Sequence, residues 1–599
     1  MNCRIITPSV ELGKAKAMTG SSSSILGPSI KRNALSPPCP GESVWNGHNR
    51  GLQSLIEKVR AAQTLGEPAS CAAVTMQSLF TGNKRENPEP IKADIQGQIP
   101  QWLHGTLIRN GPGMHKIGDT VYNHWFDGMS LLHSFTFENG EVFYRSKYLQ
   151  SDTYKSNIEA NRIVVSEFGT MAYPDPCKNI FSKSFSYLTH IIPDFTDNCL
   201  INIIKYGENF FASSEVNYIR RIDPRSLETL EKVDYRKYVA FNLATSHPHY
   251  DGNGNTYNMG TSIAEKGKTK YLFVKIPNTK SDDKKNSCFE NCEILYSIPC
   301  HSLLNPSYYH SFGMTENYII FIEQPFKLDV LKMAAAYFKG VNWASCLTWC
   351  PNDKTYIHII DRKTKKALPT KFYTDALVVY HHTNAYEEDN HVVFDIIAYE
   401  DNSLYERFYL ENMTSPDSIF EARGKSCSLP FCKRFAIPVE HDKNTDLGAN
   451  IVRLRDTMAY ALKEKDEHVY CKPEVLFEGI ELPRINYDYN GRKYRYIYAS
   501  RVQWQPVPTK IIKCDIQTRS CLEWMEEHCW PAEPVFVKTP EAEDEDDGVI
   551  LSSIISTDAR KLSFLLILDA KTFKELGRAS VSADLHLDLH GIFIPEEEL

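Results

Sequence analysis

Val378-Val379-Tyr380-His381-His382-Thr383-Asn384-Ala385-Tyr386-Glu387-Glu388 is an apolar, β-branched run that ends on two adjacent histidines, followed by an Asn, an aromatic residue and two carboxylates. Such a run predicts a strand. Neighbouring strand side chains point to opposite faces, so only one of His381 and His382 can face a given centre. One histidine at a strand end needs no ligand to explain it, because an imidazole is ordinarily satisfied by local hydrogen bonds. Its meaning changes when the pattern recurs.

Three further strand-like stretches carry histidine: Thr245-Ser246-His247-Pro248-His249-Tyr250, Tyr308-Tyr309-His310-Ser311-Phe312-Gly313 and His586-Leu587-Asp588-Leu589-His590-Gly591-Ile592-Phe593. His247, His310 and His381 lie about 60–70 residues apart, and His590 follows after roughly three such intervals. Between them short β-type runs recur, among them 141–148, 162–168, 199–204, 209–219, 271–276, 317–323, 356–360, 391–398, 493–498, 510–514, 548–555 and 563–568. Helical periodicity is nearly absent. Many short strands at even spacing predict a closed all-β form, and a propeller is one solution to the exposed-edge problem. A four-stranded blade with generous loops fits each interval, and about seven blades would use the chain after Met76. Radial blades bring their innermost strands to one axis, so residues distant in sequence can meet there. No WD or kelch repeat is present.

Composition is that of a globular protein, with 42% hydrophobic and 24% charged residues. The 32 Tyr and 29 Phe suit sheets and a large apolar cavity. A net charge of −8 argues against nucleic acid as a partner, since phosphate binding needs a basic face. Sixteen Cys with no C-x-x-C pair and no secretory h-region predict reduced thiols in the cytosol. No apolar run has the length of a membrane span.

Residues 1–75 differ from the rest, with Ser21-Ser22-Ser23-Ser24, Pro37-Pro38 and little periodicity. They predict a disordered or non-native extension, leaving 76–599 as a single domain. Arg4, Lys14 and Lys16 near the start keep a transit peptide, and with it a mitochondrial address, open. Two segments break the strand pattern. Residues 177–193 read CKNIFSKSFSYLTHIIP; residues 327–340 read KLDVLKMAAAYFKG, which places Leu328, Leu331, Ala335 and Phe338 on one helical side. Each reads as a helix packed on a sheet, and the two together also suit peripheral membrane docking. The acidic run 543–547 reads as a solvated loop.

An all-imidazole set has definite chemistry. Neutral imidazoles suit Zn, Cu, Fe and Ni, whereas a structural zinc site would include Cys at close local spacing. A ligand histidine also needs a partner for its other ring N–H, typically a carboxylate. Glu215, Glu481 and Glu533, each within an apolar stretch, are candidates.

These stretches fall within a larger set of motifs: LIRNGPG at 107–113, HWFDG at 124–128, PDPCKNIF at 174–181, ATSHPHYD at 244–251, SYYHSFGMT at 307–315, YHHTNAYEE at 380–388, ELPRINY at 481–487 and LDLHGIF at 587–593. On them the chain resembles the carotenoid cleavage oxygenases, from about residue 88 to 594. The resemblance implies a seven-bladed β-propeller with a few helices and loops capping one face over an axial ferrous ion. It selects His247, His310, His381 and His590 as iron ligands, with His249, His382 and His586 as bystanders, and places the carboxylates that orient the ligands on Glu215, Glu481 and Glu533. Among animal members the likeness is to those that cleave centrally. That implies an Fe(2+)-dependent dioxygenase splitting the 15,15' double bond of beta-carotene with O2 as co-substrate to give two retinal molecules. Eccentric 9',10' cleavage, O2-independent isomerohydrolysis of retinyl esters, and a propeller that only carries carotenoid are the alternatives, separable by their products. Glu215-Val216-Asn217 departs from the Glu-Thr-Asn frequent in the family, exchanging a hydroxyl for a methyl.

Overall fold

The structure, a computed structural model, describes residues 79–80, 82–172, 195–265, 268–278, 288–336, 341–415, 419, 422, 427–442, 444–502 and 508–599. Contacts divide the chain into two units, Met1–Ala72 and Ala73–Leu599. The fold described below is that of the second unit.

The run Val378–Glu388 is a strand, and it turns directly into His391–Tyr399. The connection is Asp389-Asn390, both at positive φ (45° and 62°). That geometry twists with the strands, and Asp and Asn tolerate it better than other side chains. All nine residues of His391–Tyr399 are buried, so this strand is covered on both faces. The same device, Asn139-Gly140 at φ 52° and 77°, joins Met129–Glu138 to Glu141–Tyr148.

Among the described residues the strands form seven sheets of four to seven strands and two two-stranded ribbons, an all-β propeller with few helices. Only three of the larger sheets have four strands; the others gain edge strands, so the regular four-stranded unit expected from the spacing is modified more often than kept. Side-chain hydrogen bonds lead from sheet to sheet. Asn110 donates to Cys199 O (2.7 Å), Asn202 to Ser246 O (2.7 Å), Thr245 to His310 O (2.6 Å) and Ser311 to Tyr380 O (2.7 Å). Asn384 then donates to Tyr489 O (2.9 Å), Ser500 to Ala532 O (3.3 Å) and Ser553 to Asp588. The circuit ends on the sheet where it began.

That sheet is a clasp. His590–Pro595, near the C-terminus, pairs antiparallel with Gly105–Met114, with Asn110 opposite His590. A second exchange places Asp94–Gly97 beside Glu575–Val581. Closure removes free inner edges and sets His590 on the innermost strand.

Several expectations need correction. Residues 162–168 are not a strand: the N–H groups of Val164 and Val165 donate to the Asn157 side chain (2.8 and 3.2 Å) and that of Ile163 to Thr120 (2.8 Å), so no ladder claims them. In 327–340, Asp329 caps a short helix, Val330–Ala334, while Leu328 belongs to the preceding strand Phe326–Leu328. Val330, Met333 and Ala336 therefore face inward and Leu331 is 59% exposed, which is not the face expected. Residues 337–340 and 177–193 lie outside the described residues. The acidic run 543–547 is tied down: Glu545 accepts from the backbone of Arg495 and Tyr496, and buried Asp546 pairs with Lys513 at 2.6 Å.

Candidate metal centre

His247 lies between two short strands, Leu243–Ala244 and His249–Tyr250, both paired to Thr256–Glu265. His310 lies three residues before the strand Gly313–Met314, which pairs with Tyr318–Glu323. His381 sits where Val378–Glu388 slips register between Val379 and His382, and again before Asn384. A bulge of this kind re-aims a side chain; it turns His381 inward and leaves His382 on Ser311 (3.0 Å). Thr245 fixes two of the segments together, accepting from His247 N (2.9 Å) while donating to His310 O.

The result is a close cluster of nitrogens. Nε2 of His247 and His310 are 2.9 Å apart, His310 and His381 3.2 Å, His381 and His590 3.4 Å. On the outer side, His310 Nδ1 is 2.5 Å from Glu215, His381 Nδ1 2.7 Å from Glu481 and His590 Nδ1 2.8 Å from Glu533. No carboxylate pairs with His247 among the described residues. Each of the seven larger sheets gives one group: four give imidazole and the other three give carboxylate.

This arrangement decides the tautomers. A carboxylate accepts only, so Nδ1 of His310, His381 and His590 carries the proton and Nε2 presents a lone pair inward. Burial, reinforced by neighbouring imidazoles, holds His247 well below the ordinary histidine range. Burial also draws His590 down to about 4 against the opposing pull of Glu533. Unprotonated nitrogens converging on one point repel unless a cation lies between them. Nitrogens bound at about 2.0–2.1 Å to one ion at right angles stand about 3 Å apart, so the donor set fits a divalent metal.

The carboxylates differ in their support. Glu215 accepts from Tyr308 O–H (2.9 Å), and Glu481 from Tyr399 O–H (3.0 Å) and Leu482 N–H (2.6 Å). Leu482 is held at φ 53°, a left-handed conformation a Leu rarely adopts, within a register slip of its strand. Although burial opposes its charge, His381 holds Glu481 below the ordinary carboxylate range. Glu533 is clamped by Arg109 (2.6 Å) and Arg484 (2.9 Å), which outweigh burial and hold it well down. Arg109 in turn bonds Asp588 (2.8 Å), which His133 also contacts (2.9 Å).

A cavity of about 250 Å³ opens on the cluster, with His310, His381 and His590 in its wall. Phe126, Phe168, Trp343, Tyr405 and Phe408 are among the aromatic residues that line it, and Val216 is among the aliphatic ones. Glu167 also lines it, accepting from Thr196 (2.6 Å), and burial pushes its carboxyl well up, which favours the neutral form. The lining suits an apolar ligand.

The seven residues singled out from sequence are thus brought together. His249 instead bonds Phe312 O (2.8 Å), and His586 packs on His133 with ring centroids 4.6 Å apart. Arg109, Arg484, Asp588, Tyr308 and Tyr399 were missed as supports. Arg109 and Arg484 lie inside the quoted LIRNGPG and ELPRINY motifs, and a charged residue within an apolar strand was the available signal.

A closed β ring with converging imidazoles at its hub defines a class of propeller proteins with an all-histidine site able to hold a divalent metal. Residues 80–595 match the family described as Retinal pigment epithelial membrane protein, RPE65, and the chain belongs to that family. It is 68% identical over 523 residues to beta,beta-carotene 15,15'-dioxygenase of Rattus norvegicus, covering 87% of this chain and 92% of the relative. It is 39% identical over 550 residues to the mitochondrial carotenoid-cleaving dioxygenase of Mustela putorius furo, covering 90% and 99%. Among solved structures, cobalt-substituted Synechocystis ACO aligns with a TM-score of 0.66 at 21% identity, covering 87% of this chain and 99% of that one. That last likeness concerns the fold alone.

Proposed function

We propose that this chain is an iron(II)-dependent dioxygenase that cleaves the central 15,15' double bond of beta-carotene with O2, giving two molecules of retinal. The observation that carries this reading is the 64–68% identity to beta,beta-carotene 15,15'-dioxygenases of four animals over 87–88% of the chain. Relatives named carotenoid-cleaving dioxygenase, mitochondrial, stand at 39–40%, so the stronger likeness is to the relatives named for the 15,15' position.

His247, His310, His381 and His590 would hold the ion through Nε2. When bound, Fe(2+) supplies the centre at which dioxygen is activated. Glu215, Glu481 and Glu533 accept hydrogen bonds from the Nδ1–H groups, fix the plane of three imidazoles and offset charge. The aromatic wall excludes water and binds a polyene by apolar area and π-faces, which asks for no ionisable partner. We read each of the seven larger sheets as one blade, a reading supported by the closed circuit of hydrogen bonds between them.

No helix of the described residues is long and apolar enough to cross a membrane. We place the enzyme in the cytosol, with residues 177–193 and 327–340 docking reversibly on membranes that supply the carotenoid. Residues 76–599 would carry the activity as one domain without 1–75. A mitochondrial address applies only if those first residues act as a transit peptide.

The test is aerobic incubation of iron-loaded protein with beta-carotene and sizing of the products. Retinal alone supports the proposal. A longer apocarotenal would establish eccentric cleavage, turnover of a retinyl ester without O2 would establish isomerohydrolysis, and binding without turnover would leave a carrier.

A further inference from the structure

Cys514 and Cys521 lie on two strands of one hairpin, Lys510–Asp515 and Ser520–Trp524, directly opposite each other in antiparallel register. Opposed residues share a face with Cα atoms about 4.5–5.5 Å apart, inside the 4.4–6.8 Å a disulfide spans. Their sulfurs are 3.4 Å apart and both thiols are free. The two are not equivalent. Cys521 is exposed on the edge strand, while Cys514 is fully buried beneath it. The contact between the two sulfurs, helped by the Arg501 guanidinium, holds Cys521 below the ordinary cysteine range. The same contact, with burial, pushes Cys514 up. An exposed sulfur that readily becomes thiolate is the attacking group in thiol–disulfide exchange, and a neighbouring thiol resolves the product.

We propose that Cys521 and Cys514 form a thiol–disulfide exchange site, in which Cys521 attacks small-molecule disulfides such as oxidised glutathione and Cys514 closes a cross-strand disulfide. In the first step the Cys521 thiolate forms a mixed disulfide and displaces one glutathione thiolate. In the second, Cys514 loses its proton, attacks the Cys521 sulfur and displaces the second glutathione. Two protein thiols are oxidised by two electrons, and one glutathione disulfide is reduced to two thiols. The crosslink fastens the edge strand Ser520–Trp524 to its neighbour, on the sheet whose strand Ile480–Arg484 carries Glu481. It touches neither the metal cluster nor the cavity wall.

The full-length, metal-loaded protein is equilibrated in graded mixtures of oxidised and reduced glutathione, quenched with acid, alkylated with N-ethylmaleimide and digested for mass spectrometry. The expected result is a linked Cys514–Cys521 peptide that dithiothreitol reverses. It should form about threefold to tenfold faster than any adduct at the half-buried Cys350. Cys514→Ser should accumulate glutathione on Cys521, and Cys521→Ser should leave Cys514 alkylatable only after unfolding, with beta-carotene turnover unchanged. Cys514→Ala serves in its place if the serine variant does not fold. The proposal is overturned if Cys521 reacts no faster than Cys350, if its partner is another cysteine such as Cys432, or if Cys514→Ser and Cys514→Ala carry no adduct on Cys521.

Discussion

Glu533→Gln and Glu481→Gln remove the same atom's worth of charge from two carboxylates that touch histidine in the same way, yet they should fail differently. Glu533 neutralises two guanidiniums, buried Arg109 at 2.6 Å and half-buried Arg484 at 2.9 Å, and among the described residues only Arg109 has a second carboxylate, Asp588 at 2.8 Å. Removing one partner of a buried ion pair costs about 3–5 kcal/mol. Because Asp588 still faces Arg109, the lower end, about 3 kcal/mol, is expected for Glu533→Gln. Glu481 Oε2 accepts from His381 and Leu482 N–H and its Oε1 from Tyr399 O–H; in the glutamine one amide oxygen can keep the first two while the amide NH2 donates to the Tyr399 hydroxyl. Its loss should be about 1 kcal/mol, that of a weakened hydrogen-bond set. Both substitutions should weaken metal binding by about 10–100-fold, the usual effect of losing a ligand's partner. Urea unfolding of the metal-free proteins gives the first difference, and competition with a chelator gives the second. Equal stability losses in the metal-free state would refute the argument that the arginine clamp distinguishes Glu533, and unchanged metal affinity in both variants would refute the orienting role altogether.

His310→Ala should abolish iron retention and turnover while the sheets persist, measured by metal content, product analysis and circular dichroism. Gly591→Ala should destabilise the clasp by about 1–3 kcal/mol in thermal unfolding, because a Cβ there collides with the Ile108 carbonyl and Arg109 on the opposing strand. Glu323 lies away from the metal, where burial works against its charge but His301 and His358 bring it down to about 2 from 4.5. A depressed carboxyl adds stability above its unfolded value and loses it as pH falls through the folded one. Glu323→Gln should therefore cost at most about 3 kcal/mol at pH 7, and its melting temperature should converge on that of the parent near pH 2.

The candidate site was legible because its groups are short-range events at strand ends: His381 after Val378-Val379-Tyr380, His310 before Ser311-Phe312-Gly313, Glu533 between two prolines. Propeller geometry then does the convergence. What supports the site was not legible. Arg109 and Asp588 meet from opposite ends of the chain, and no local pattern joins them. The inward turn of His381 rather than His382 depends on a bulge, which alternation alone does not reveal and which was selected by resemblance. Residues 162–168 looked like a strand because Val164 and Val165 favour one, but the Asn157 side chain took their N–H groups first. In 327–340 the apolar count was read over one continuous helix, whereas Asp329 starts the helix late and rotates the buried face.

The clasp between Gly105–Met114 and His590–Pro595 ties the site to the closure of the ring. One of the four imidazoles stands on the same segment that seals the circle. A chain cut before residue 590 would lack both a nitrogen donor of the cluster and the strand that seals the circle.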